Sequence, residues 1–344
     1  ASIFRETSKR SKRVKNTMDT RTVIGVDLGG THMRTALVDV SGCILRRQKI
    51  ATNISLGVMQ TTQTLIAECR AQVEAARHLG SPVAGIGLGV AGKVDHKRNW
   101  VLFSPNLPAM RDYPLGLELQ KSLNLPVLIE NDANVFGIGE SWVGAGRGIP
   151  NWVGLTLGTG VGGCLILDGK LWSGDNLGFS GEIGHMIVHP DGPRCACGLN
   201  GCLEAHGSGR ALLEFVSNAA SEGRLTGGPL YELWKGGKLD AQGVYQCSVE
   251  GDPTARQAFA RMGWALGLAI ANLFTVLGIR TAILGGGVSA GWDQFVEPLT
   301  TSLARYSSML PAKDAVVQRS ALGDDAALLG AARVALQFCF LQSV

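Results

Sequence analysis

Short β-branched or apolar runs alternate along the chain with longer runs of helical period, the pattern that separates strands from helices. Thr22 to Val26 and Thr35 to Val40 predict two strands of a hairpin, joined by Asp27-Leu-Gly-Gly-Thr31, whose glycines let the backbone approach a ligand closely. Met59 to Leu79 predicts a helix ended by Gly80, Ser81 and Pro82. Val83 to Val90 predicts a strand with glycine at alternating positions, and Val127 to Ile129 another that runs into Glu130-Asn131-Asp132. Thr281 to Leu284 predicts a strand followed by Gly285-Gly-Gly287, and Ala326 to Gln342 predicts a C-terminal helix. The order of elements is α/β.

Two features of the pattern stand out. Met262 to Ile279 carries no charge over eighteen residues, long enough to raise the question of a membrane span. It contains Gly263, Gly267 and Asn272 and has no second span as partner, so a helix buried between two layers is expected and no membrane association is. The second feature is a repeat: laying Ile24 to Asp39 on Val153 to Asp168, an offset of 129, pairs Gly25 with Gly154, Leu28 with Leu157, Gly29 with Gly158 and Asp39 with Asp168. Both copies read strand, glycine turn, strand, and two lobes with matching turns would face one ligand.

Length adds to this, because 344 residues exceed what one compact core usually holds. With 45% apolar and 17% charged residues the composition is that of a globular protein, and 47 glycines show no collagen-like period. Much of the net charge of +4 sits in Arg5, Lys9, Arg10, Lys12, Arg13 and Lys15, opposed only by Glu6. Residues 1–20 are therefore expected to be a solvated, disordered arm or an upstream extension, and the body is near neutral. No apolar stretch follows these charges, so no signal peptide is expected and the setting is expected to be cytoplasmic.

Chemistry enters with the glycine turns and the cysteines. Gly158-Thr-Gly-Val-Gly-Gly163 offers unobstructed backbone N–H groups of the kind that cradle a triphosphate. Neither turn is followed by Gly-Lys-Ser/Thr, and the second leads into a strand rather than a helix, which excludes a Walker loop and a dinucleotide fingerprint. Three of eight cysteines crowd into Cys195, Cys197 and Cys202, and His185 lies ten residues upstream. In a cytoplasmic chain that set suggests metal before disulfide, and three thiolates with one imidazole suit a closed, tetrahedral, structural zinc. Asp132 follows a short strand, so its carboxylate emerges where open α/β sheets place ligands, although an Asx turn capping the next helix is an alternative for a lone Asp.

Six motifs in one order carry a family resemblance: Asp27-Leu-Gly-Gly-Thr31, Glu130-Asn-Asp132, Leu157-Gly-Thr-Gly-Val-Gly-Gly163, Gly181-Glu-Ile-Gly-His185, Cys195-Ala-Cys-Gly-Leu-Asn-Gly-Cys-Leu-Glu204 and Leu284-Gly-Gly-Gly-Val288. Over about residues 21 to 340 the chain resembles the ROK group of repressors and sugar kinases within the actin-like, hexokinase-like ATPases. His32 departs from the asparagine common at that position. The resemblance implies a two-lobe, ribonuclease H-like fold with a zinc-stabilised loop in the second lobe. It implies a small lobe over residues 21–135, rejoined by the helix at 326–344, and a large lobe over 136–325.

The resemblance also implies an ATP-dependent hexose kinase, most like the family's glucokinases because of Asn106 in its Pro-Asn-Leu-Pro setting. Asp132 would be the base. Gly92, Asn106, Asn131, Asp132, Glu182, His185 and Glu204 would surround the sugar. Asp27 would orient Mg2+, and Gly29, Gly30, Thr31, Gly158, Thr159, Gly160, Gly162, Gly285, Gly286 and Gly287 would hold ATP. His185, Cys195, Cys197 and Cys202 would bind zinc, with His185 also turned toward the sugar. A homodimer is expected on the same ground. Kinases of N-acetylglucosamine, N-acetylmannosamine, mannose or fructose are the rivals within the enzyme class. A sugar-sensing repressor is the rival outside it, disfavoured because about twenty residues before the first strand are too few for a helix-turn-helix, so no nucleic-acid partner is expected.

Overall fold

The computed structural model of the chain describes residues 21–175 and 178–341. The basic arm expected over residues 1–20 and the end of the C-terminal helix at Gln342 lie outside them. The first half comprises β1 (Thr22–Leu28), β2 (His32–Asp39), β3 (Ile44–Ala51), α1 (Val58–His78), β4 (Val83–Val90), β5 (Lys93–Asp95), β6 (Trp100–Phe103), α2 (Leu115–Leu123), β7 (Val127–Asn131) and α3 (Asp132–Val143). The second comprises β8 (Trp152–Leu157), β9 (Val161–Leu167), β10 (Lys170–Leu171), α4 (Glu204–Gly207), α5 (Gly209–Ser221), α6 (Pro229–Lys235), α7 (Ala241–Val249), α8 (Pro253–Leu277), β11 (Thr281–Gly285), α9 (Trp292–Tyr306) and β12 (Val316–Arg319), and α10 (Ala326–Leu341) closes the chain. The sequence-expected strands and helices all form, most with ends within three residues of those expected, but α8 begins at Pro253, nine residues before the uncharged run at Met262.

Two five-stranded sheets share one plan, with orders β3-β2-β1-β4-β7 and β10-β9-β8-β11-β12. In each, an antiparallel hairpin (β1–β2, β8–β9) leads into parallel strands. The repeat seen in the sequence is thus a repeat of topology, with one correction. Leu28 pairs with Met33 across the first turn, whereas Leu157 pairs with Val161 across the second, so the second turn is one residue shorter. The offset of 129 therefore holds on β1 and β8 and slips after the turn. The matched Asp39 and Asp168 are not structural equivalents.

Helices α3 and α10 join the two halves. Leu328, Leu329, Ala332, Ala335 and Leu336 of α10 pack against Val23, Ala36 and Val38 of the first sheet. Phe136 of α3 packs with Trp152, Cys164 and Ile283 of the second. The two helices cross so closely that a Cβ at Gly330 would collide with the carbonyl of Val135. Helix α3 runs unbroken through residues 135 and 136, where the family resemblance would divide two lobes, and touches both sheets.

Among the described residues, α8 is the one helix long and apolar enough to cross a membrane. Asp252 caps its start by accepting from the Ala255 amide at 2.9 Å, Pro253 fits the first turn, and Gly278 ends it in the left-handed conformation. Its Met262, Leu266, Ile270 and Phe274 are buried in the core of the second half, as expected of a helix between layers. Each such side chain contributes about 1.5–3 kcal/mol by leaving water.

Candidate active site

The end of β7 and the start of α3 form one corner. Asn131 is extended and caps α3, its Oδ1 accepting from the amides of Ala133 at 2.9 Å and Asn134 at 3.1 Å. Its Nδ2 donates to the Gly92 carbonyl at 2.9 Å, joining two residues expected at the sugar. The cap role weighed for Asp132 therefore falls chiefly to Asn131. The Asp132 carboxylate accepts one local bond, from the Ala133 amide at 2.9 Å, and is otherwise free for chemistry. Its pKa is pushed up to about 7, first by burial and then by the charge of Asp27, against the Ala133 amide and with a smaller push from Glu182. Three acidic residues from separate motifs thus face one space.

Asp27 comes from the end of β1, opposite Arg34 on β2. Arg34 donates to Asp27 Oδ2 at 3.2 Å and, through its other nitrogen, to Asp324 Oδ2 at 3.0 Å. Burial raises the Asp27 pKa, Arg34 opposes the shift and Asp324 adds to it. The first turn is braced from its own half: the Gly29 amide donates to the His32 carbonyl at 3.0 Å and Thr52 Oγ1 to the Gly29 carbonyl at 2.7 Å. Gly30 lies against the backbone of Asn106, where an added Cβ would come within 2.7 Å of the Asn106 carbonyl oxygen. The Asn106 loop is held by Ser104, whose Oγ donates to the Ala91 carbonyl at 2.5 Å and accepts from the Leu107 amide at 3.0 Å. Gly30, Gly92, Asn106, Asn131 and Asp132 are therefore neighbours.

The second turn is held differently. The Gly158 amide donates to the Gly160 carbonyl at 3.0 Å, and the Gly209 amide at the start of α5 donates to the Gly158 carbonyl at 2.8 Å. Glu204 Oε2 accepts from the Val161 amide at 3.0 Å, and a Cβ at Gly160 would collide with that carboxylate. The third glycine run reaches the same place, for Gly286, with φ of 86°, packs against the backbone of Leu157. Gly162 stands beside Ala133, next to Asp132, so the second glycine turn and the Asp132 corner meet.

His185, Cys195, Cys197 and Cys202 converge, their four donor atoms lying within 4.8 Å of one another. Cys195 Sγ is 3.8 Å from His185 Nδ1, and Cys197 Sγ is 3.6 Å from Cys202 Sγ. A tetrahedron with Zn–S bonds of about 2.3 Å has edges of about 3.8 Å, so the four donors fit zinc. The Cys197 to Cys202 distance is far from the roughly 2.05 Å of a disulfide. Glu204 bridges this cluster to the second turn, for its Oε1 lies 3.7 Å from Cys195 Sγ.

A ROK family profile matches residues 23–338. The chain belongs to the ROK family. The Thermotoga maritima glucokinase is 35% identical over 318 residues, covering 91% of this chain and 96% of that protein. The crystal structure of a ROK family glucokinase from Streptomyces griseus in complex with glucose and AMPPNP is 35% identical, with a TM-score of 0.77 over 92% of this chain and 99% of that one. The N-acetyl-D-glucosamine kinase of Pectobacterium carotovorum is 32% identical over 321 residues, 90% of this chain and 97% of that protein.

Three residues of this ROK protein at the site escaped the sequence reading. Lys93, on β5, sits 4.7 Å from the ring centroid of Phe179 and near Glu182. Burial raises the Glu182 pKa, His185 and Lys93 oppose the shift, and Glu204 adds to it. Arg34 and Glu130 are the others. Only the cross-strand register of the hairpin could have pointed to Arg34, and Glu130 stood inside a motif without a role.

Proposed function

We propose that this ROK protein is a hexose kinase that moves the γ-phosphoryl group of ATP to glucose. The observation that carries the reading is the Asp132 carboxylate, held where the glycine turns and the Asn106 loop meet, with a pKa pushed up to about 7. A proton acceptor works best when its pKa lies near the working pH. The acceptor hydroxyl oxygen would attack phosphorus, the bond from phosphorus to the β–γ bridging oxygen would break, ADP would leave, and the hydroxyl proton would pass to Asp132. In a loose transition state this transfer comes late, so position counts for more than basicity.

Asn106, Glu182, His185 and Glu204 would supply polar partners for the sugar hydroxyls, since an unmatched buried polar group costs about 1–3 kcal/mol. Asn131 has its Oδ1 and one amide hydrogen engaged within the protein, which leaves its second Nδ2 hydrogen for the sugar. The amides of residues 30–31 and 159–160 would cradle the phosphates, those of Gly29 and Gly158 being engaged within their own turns. Asp27 would orient Mg2+, which when bound neutralises charge on the phosphate oxygens. His185, Cys195, Cys197 and Cys202 would hold a structural zinc, whose filled coordination leaves no place for water or phosphate.

A coupled assay with Mg-ATP across glucose, mannose, fructose, N-acetylglucosamine and N-acetylmannosamine tests the proposal. Glucose should give the highest kcat/KM. A tenfold preference for an N-acetylated hexosamine would replace glucose as the substrate, and no transfer to any hexose would overturn the kinase reading.

A further inference from the structure

Glu130 has no part in the chemistry described so far, yet it is a carboxylate only 8% exposed at the end of β7. Its Oε1 accepts two hydrogen bonds, from the Asn131 amide at 2.8 Å and from Asn134 Nδ2 at 2.9 Å. Both donors belong to the cap and first turn of α3, the turn from which Asp132 projects. Its Oε2 lies 3.6 Å from His96 Nδ1, which is also 3.1 Å from the Ile129 carbonyl. Together with Ser180 and Glu182, these residues line a small cavity between the two halves.

Burying a carboxylate costs several kcal/mol unless its partners and surroundings compensate. Here the positive end of α3 and two donors compensate, but helix capping alone does not require it. Asn131 already satisfies the Ala133 and Asn134 amides. What Glu130 adds is a grip on the cap residue itself, through its backbone N–H, and on the Asn134 side chain one turn along. Asn131, Asp132 and the first turn are thereby held as one unit.

We infer that Glu130 is a positioning residue for phosphoryl transfer, which fixes Asn131 and the first turn of α3 and so sets where the Asp132 carboxylate meets the acceptor hydroxyl. The inference rests on the proposed role of Asp132 as proton acceptor. A displacement of about 1 Å at a reacting group can cost about 10²-fold in rate. Removing the grip should therefore lower kcat and leave the KM for ATP nearly unchanged.

The experiment is a mutant cycle on the full chain: Glu130→Ala, Glu130→Asp and Glu130→Gln, each alone and with Asp132→Asn, with kcat, both KM values and melting temperature measured. Glu130→Ala should lower kcat about 30-fold in the presence of Asp132 and less than about threefold in the Asp132→Asn background, because residues acting as a unit are not additive. Glu130→Asp withdraws the acceptor by one methylene without removing its charge, and should lower kcat about tenfold with folding preserved, so the test stands even if Glu130→Ala does not fold. Glu130→Gln keeps the accepting oxygen and should stay within about threefold of wild type.

Equal losses with and without Asp132 would overturn the inference and leave the Asp132 reading intact. Wild-type kcat in both Glu130→Ala and Glu130→Asp would do the same. Wild-type kcat in Asp132→Asn alone would overturn the proton-acceptor reading, and this inference with it.

Discussion

The two glycine turns occupy the same place in the same strand plan, yet different groups hold them. The first, between β1 and β2, is fixed by backbone and hydroxyl bonds within its own half and lies against the Asn106 loop. The second, one residue shorter, is held by its own Gly158–Gly160 bond, by the start of α5 and by one carboxylate, Glu204, that also reaches Cys195. The repeated hairpin thus differs in what packs behind it. The first turn reports on the Asn106 loop, and the second on the loop that carries Cys195.

The largest expected effect falls on the group that both turns serve. Asp132→Asn should lower kcat by about 10²-fold or more, the scale of losing a proton acceptor, with hexose binding retained. Near-normal turnover would remove the centre from the comparison. The pH dependence has the same origin. Because the pKa is pushed up to about 7, the carboxylate is protonated below that pH and cannot accept a proton, so kcat/KM should fall as pH drops through 7. For stability the sign is opposite. An acid whose native pKa exceeds its unfolded value stabilises the fold at low pH, and this contribution is lost as pH rises from the ordinary 3.8 through about 7. Asp132→Asn should therefore melt slightly above wild type at pH 8, by about 3 °C. A lower melting temperature there would contradict the assigned burial of charge.

Next in size is Cys197→Ala, which attacks the second turn from behind. Zinc content should fall, and the KM values for hexose and ATP should both rise about tenfold, within the range for disturbed metal surroundings, as His185 and Glu204 lose their anchor. Elemental analysis and steady-state kinetics decide it. A metal-free wild-type protein with full activity would detach the cluster from the turn.

Two glycine substitutions sharpen the contrast at smaller scale. In Gly30→Ala the new methyl meets the Asn106 backbone, which cannot step aside, so a loss of about 1–3 kcal/mol in stability and a higher KM for hexose are expected. In Gly160→Ala the methyl meets the end of the Glu204 side chain, which can rotate away only by giving up its bond to the Val161 amide. That variant should lose about 0.5–1.5 kcal/mol, the net worth of that bond, less than the rigid clash at Gly30, and show a modest rise in the KM for ATP. Equal stability losses in the two would mean that both turns are braced alike.

Local patterns in the sequence determined the strands, the two glycine hairpins, the buried character of α8 and the Cys-x-Cys-x4-Cys spacing, because each depends on residues that are neighbours along the chain. The same locality explains where that reading failed: an offset drawn on strand residues does not sense a turn shortened by one. Tertiary structure alone decided the partners of the acidic groups. Arg34 meets Asp324 across 290 positions, and Glu204 meets Val161 across 43. It decided that Asn131 caps α3 while Asp132 stays available, half-buried, with desolvation and the charge of Asp27 pushing its pKa up to about 7. Charge interactions and desolvation act through space and depend on what packing excludes, so no spacing along the chain encodes them.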